Sequence, residues 1–157
     1  MRIASMISKW LYFDALSEYK IGESIIVRVL DMARVTQPVE IREVLRKDSL
    51  ELTDADRALI AGRVTSAPNQ RIIITHGTDT MTVTAAALTD TGEKTIVLVG
   101  SLAPARFAES DATFNLGMAF ATAQVAPPGV YVTMSGTVFR ADEVVKDRER
   151  GAFVAKD

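Results

Sequence analysis

A chain of 157 residues, 48% hydrophobic and 24% charged, has the size and make-up of one globular domain, able to bury roughly two-thirds of its unfolded surface. Its formal charge of -2 gives no electrostatic footing for nucleic acid or for an anionic membrane surface. The absence of cysteine removes disulfides, thiolate metal sites and thiol nucleophiles, and one histidine leaves little for a transition metal, so neither metal nor cofactor is expected. No apolar run approaches the roughly 18 residues of a membrane span. The N-terminus "MRIASMISKW" lacks the long apolar core and cleavage site of a signal peptide, so the expectation is a cytoplasmic protein.

In chain order, an N-terminal strand is followed by "SIIVRVLDMARV" (24–35), which reads as a helix, and "PVEIREVLRK" (38–47), which reads as a strand. "TDADRALIAGRV" (53–64) is a helix, with Thr53 at its N-cap and Asp56 completing a capping-box pair. "RIIIT" (71–75), "TIVLVG" (95–100) and "GVYVTM" (129–134) are short, β-branched and apolar without alternation, the pattern of strands covered on both faces. Between them lie helical stretches at 79–88 and 110–125. The latter presents Phe114, Leu116, Met118, Ala119 and Phe120 as an apolar face, with Ser110 or Asp111 available as its cap. The order β-α-β-α-β-α-β-α-β predicts one α/β domain over 1–157, three-layered and doubly wound around a mostly parallel sheet of the Rossmann or flavodoxin type.

Ligands of such sheets sit beyond the carboxyl ends of the strands. The loops expected there, "KDSLELTD", "THGTDT" and "GSLAP", are rich in small polar groups. Thr78 and Asp79 fit either a helix cap with a favourable first-turn acid, or a hydroxyl nucleophile beside a carboxylate that grips a ligand's amino group. Strand alternation turns His76 away from its neighbours, so it reads as a structural hydrogen-bonding residue and not a general base. Lys146, within "RADEVVKDRER", reads from spacing alone as a solvated charge.

"THGTDTM" (75–81) closely resembles a signature of the L-asparaginase (asparaginase/glutaminase) family. "KDSLELTDADR", "VGSLAPARFAESDATFNL" and "GVYVTMSGTVFRADEVVKDR" are similar to further family segments in the same order, over about residues 12–150. The resemblance implies hydrolysis of L-asparagine to L-aspartate and ammonia, with catalytic Thr78, Asp79 and Lys146. Ser49, preceded by Asp48, would bind the substrate's α-carboxylate and Asp79 its α-amino group, while the backbone at Gly77 and Ser101 would border the side-chain amide. The chain resembles short members without the C-terminal domain, and a homo-oligomer is expected.

The family's N-terminal Thr-Gly-Gly-Thr is replaced by "RIASMISKW". Ser8 is the candidate for the missing hydroxyl, and Tyr19, more than Tyr12, is the candidate loop tyrosine. The alternative is a catalytically degenerate relative that binds a small amino acid or serves structurally in an oligomer. A nucleotide-binding domain is disfavoured because no glycine-rich βα loop is present.

Overall fold

The computed structural model describes residues 25–45, 47–89, 91–103 and 110–156, together with the backbone course of 3–8. The elements are β1 (Ile3–Ser8), α1 (Ile25–Met32), β2 (Val39–Leu45), α2 (Asp54–Ser66), β3 (Arg71–Thr75), α3 (Met81–Ala87), β4 (Thr95–Val99), α4 (Ala112–Val125), β5 (Gly129–Met134), β6 (Thr137–Arg140), β7 (Val144–Asp147) and β8 (Ala152–Ala155). The first nine follow the predicted alternation. Three short C-terminal strands were not anticipated.

The main sheet runs in the order β2-β1-β3-β4-β5-β6, and β7 and β8 form a separate two-stranded sheet. All neighbours from β2 to β5 are parallel, so their carboxyl ends share one edge. β6 returns antiparallel to β5 through a tight turn in which Ser135 and Gly136 take positive φ. The predicted α/β class therefore holds, with a mixed sheet.

The β-branched runs form strands because both of their faces are covered. Ile72 and Ile74 pack with Ile96, Leu98, Val132 and Met134 beneath α2 and α3. Ile73 points the other way and packs with Val97, Val99 and Tyr131 beneath α1 and α4. Each isoleucine of β3 is fully buried, which stabilises the fold by ~1.5–3 kcal/mol per side chain.

The apolar face expected of α4 is only partly correct. Leu116, Ala119 and Phe120 are buried, but Phe114 is 64% exposed. The inward row contains Asn115 and Thr122 in its place. Asp111 also differs from expectation: its carboxylate takes the amides of Leu102 and Ala103 at 3.0 Å instead of capping the helix, and Ser110 Oγ accepts from the Ala112 amide.

The strand order places the site. The chain passes from β1 outward to β2, then returns to place β3 on the other side of β1. α1 and α3 pack on opposite faces of the sheet. The carboxyl edge of the strands between them is where this topology accepts ligands.

Candidate active site

Three loops meet at that edge. After β2, Asp48 Oδ1 accepts from the Leu50 amide at 2.8 Å and shapes a single 3-10 turn, 49–51, that presents Ser49. The observed contact of Asp48 is thus with its own turn. The turn is fastened to α2 by the predicted capping box: the Thr53 amide donates to Asp56 Oδ2 at 2.9 Å, and the Asp56 amide donates to Thr53 Oγ1. Lys47 Nζ lies 2.8 Å from the same carboxylate. The hydrogen bond from Lys47, aided by those from Thr53, lowers the Asp56 pKa to about 2.

The loop after β3 lies against this turn. A Cβ added at Gly77 would come within 2.6 Å of Ser49 Oγ, so only glycine allows the two loops to touch. Thr80 Oγ1 donates to the Ser49 carbonyl at 2.6 Å and ties the loops together. On the other flank, a Cβ at Gly100 would meet the His76 carbonyl at 2.7 Å and Thr78 Cγ2 at 3.1 Å. The loops at Ser49, at His76–Thr80 and at Gly100 therefore meet at one edge.

Lys146 arrives from β7. Side chains alternate along a strand, so Lys146 faces the same way as Val144, which is fully buried. Its cross-strand partner Phe153 is buried too. The two apolar neighbours seat the hairpin on the core and aim the lysine inward. Its Nζ donates to Thr78 Oγ1 at 2.9 Å and to Asp79 Oδ1 at 2.7 Å. Only 16% of the Lys146 side chain is exposed, against 41% of Asp79, so the acid keeps a face open to a ligand.

His76 is fully buried. Nδ1 lies 2.7 Å from the Gly77 carbonyl and Nε2 lies 2.8 Å from Thr84 Oγ1. Burial lowers its pKa, which favours a neutral imidazole. Its contacts fit the structural role read from strand alternation. Ser101 is buried on the β4 loop, and its hydroxyl has no hydrogen-bond partner among the described residues. Asn115 and Asp111 brace this loop, for Asn115 Nδ2 donates to the Gly100 carbonyl at 3.0 Å and to Asp111 Oδ2 at 2.7 Å.

Ser8 ends β1, between β2 and β3, so its backbone lies at the same carboxyl edge. The pairing shifts register between Ile7 and Ser8, where the strand leaves its regular course. Tyr12 and Tyr19 lie outside the described residues. Among the described residues, no three His, Asp or Glu side chains are grouped to hold a metal, and no helix is long and apolar enough to cross a membrane.

Sequence reasoning from the residues alone missed the supports of the site. Thr80, Thr84, Asn115 and Phe153 carry no local signal of their partners, which lie up to 31 residues away for the first three. Only the small, polar character of "THGTDT" hinted that its hydroxyls would be used.

The family model described as asparaginase, N-terminal, matches residues 14–154. The L-asparaginase of Thermococcus kodakarensis is 32% identical over 154 residues, covering 95% of this chain and 46% of the relative. A solved thermostable L-asparaginase from T. kodakarensis superposes with a TM-score of 0.86 at 26% identity, covering 99% of this chain and 51% of that one. A probable cytoplasmic L-asparaginase from Campylobacter jejuni gives a TM-score of 0.82 at 26% identity, covering 99% and 53%. The chain spans about half the length of these proteins. With the family model matched over most of its length, the chain belongs to the asparaginase family.

Proposed function

We propose that the chain hydrolyses the side-chain amide of L-asparagine, giving L-aspartate and ammonia. The observation that carries this reading is the placement of Lys146 Nζ within hydrogen-bond distance of both Thr78 Oγ1 and Asp79 Oδ1. A threonine hydroxyl is a weak nucleophile until a base takes its proton, and the Lys146 nitrogen at 2.9 Å has the reach to do so.

In this reading Ser49 donates to the substrate's α-carboxylate while the open face of Asp79 receives its α-ammonium. Thr78 Oγ1 attacks the amide carbon and its proton passes to Lys146. The resulting oxyanion is held by backbone N–H donors of the loops. Its collapse breaks the C–N bond, and the nitrogen takes the proton from Lys146 and leaves as ammonia. Water then attacks the ester, giving its proton to Lys146. The carbonyl re-forms, the threonine oxygen recovers that proton, and aspartate departs.

The N-terminus sustains a second reading, a ligand-binding relative without turnover, because β1 ends in Ile7 and Ser8 where the family carries Thr-Gly-Gly-Thr. A cytoplasmic location and a homo-oligomer belong to the same proposal. The C. jejuni protein named as cytoplasmic supports the first, and the exposed Phe114 supports the second. Sedimentation at micromolar concentration tests assembly, a purely monomeric species being the contrary result.

Ammonia release tests the function. The 157-residue protein is expected to release ammonia from asparagine, with glutamine the weaker substrate. Loss of turnover in a folded Ser8→Ala would assign Ser8 the attacking role, and unchanged turnover would leave that role with Thr78. No release from either amide, with asparagine still raising the melting temperature, would establish the binding-only reading.

A further inference from the structure

His76 is the fully buried imidazole of the site, and the reaction written above gives it no task. Both ring nitrogens are nonetheless engaged. A carbonyl oxygen can only accept, so the proton of the neutral ring sits on Nδ1 and points at Gly77 O, 2.7 Å away. Nε2 must then accept, and Thr84 Oγ1 at 2.8 Å supplies the hydrogen. The threonine on α3 thereby selects the tautomer, and the tautomer selects where the Gly77 carbonyl is held.

The carbonyl of Gly77 and the N–H of Thr78 belong to one peptide group. That peptide is trans, so the two bonds point to opposite sides of a common plane. Pinning the carbonyl toward the buried imidazole turns the Thr78 N–H away from it, and Thr78 itself is only partly buried. The backbone of His76 is itself fixed, its amide donating to the Val99 carbonyl at 2.9 Å. The ring cannot follow a wandering loop.

We propose that His76, locked by Thr84, is a positioning residue that aims the Thr78 amide as an oxyanion donor. The inference rests on the hydrolase reading for its purpose, but its geometry can be tested without turnover. Neither His76 nor Thr84 touches the substrate in this account. The chain from Thr84 Oγ1 through the imidazole and the Gly77 carbonyl to the Thr78 N–H carries the orientation.

The first measurement is nitrogen NMR of the histidine ring in the wild-type protein. The expected spectrum has hydrogen on Nδ1 and an accepting Nε2, and the opposite tautomer would overturn the proposal. The second compares Thr84→Val with Thr84→Ser. Valine removes the hydroxyl while keeping its volume, and is expected to shift the Thr78 amide resonance and lower kcat for asparagine about 10- to 100-fold with KM unchanged. Serine, which retains the donor, is expected to restore both. An unchanged kcat in folded Thr84→Val, or a loss confined to KM, would refute the positioning role. If the wild type hydrolyses no amide, the hydrolase reading fails by itself. The Thr78 amide shift in Thr84→Val and its return in Thr84→Ser then decide whether the latch exists.

Discussion

The two halves of the candidate site are built by different means. Thr78 and Asp79 follow β3 directly and are held mostly from nearby: a glycine that lets Ser49 approach, a histidine inside the loop, and the hydroxyls of Thr80 and of Thr84 on the helix that comes next. Lys146 lies 68 residues away in sequence from Thr78 and depends on a small hairpin being seated on the core by Val144 and Phe153. The loop half can keep its shape with the lysine removed. The lysine half has no purpose without its seat. The proposed chemistry at Thr78 is thus exposed to disturbance from a region that contributes one atom to the candidate site.

The strongest way to break the comparison is to remove that atom. Lys146→Met should cost about 10²–10⁴-fold in kcat, the range associated with a positioned acid-base group, while the loops keep their contacts. Circular dichroism and a melting curve would check the fold, and ammonia release the loss. Next comes the seat. Phe153→Ala should destabilise the protein by about 3–5 kcal/mol in urea unfolding and depress kcat although every proposed catalytic group remains. Equal stability loss with undiminished kcat would show that the lysine finds Thr78 without the hairpin.

A third change acts on the loop half. Gly77→Ala forces a methyl group against Ser49 Oγ and should cost about 1–3 kcal/mol, with KM for asparagine rising as the serine proposed to bind the carboxylate moves. The smallest effect concerns pH. The folded pKa of Asp56 is depressed to about 2 against an ordinary value of 3.8. Its contribution is therefore present above pH 3.8 and is lost as pH falls toward 2. His76 is also depressed from 6.5, so the unfolded chain takes up its proton first and stability begins to fall below that pH. Urea midpoints between pH 7 and pH 5 should decline in the wild type. Lys47→Met should flatten the separate decline below pH 4 by removing the chief cause of the Asp56 shift.

The same contrast explains what could be read from the sequence. β3, β4 and β5 were legible because continuous β-branched runs suit only strands covered on both faces, and the Thr53–Asp56 box marked the start of α2 unaided. The loop half of the site followed, since polar residues at the ends of such strands fall on a known edge. β6, β7 and β8 are 4 residues each and half exposed, too short for periodicity to register. Position along the chain could therefore never have brought Lys146 to Thr78, and family resemblance alone supplied that pairing. Phe114 was misjudged because a helix of small residues gives a weak sense of which side faces in, and Asn115 took the buried place to hold the Gly100 carbonyl.

Whether the halves act as one unit is best measured by a double-mutant cycle on ammonia release from asparagine, with Thr78→Ala, Lys146→Met and the pair together. If the lysine works only through the threonine hydroxyl, the double variant should be no slower than the slower single variant. Losses that multiply, or a single variant that keeps wild-type turnover, would contradict the claim that Lys146 and Thr78 form one catalytic set.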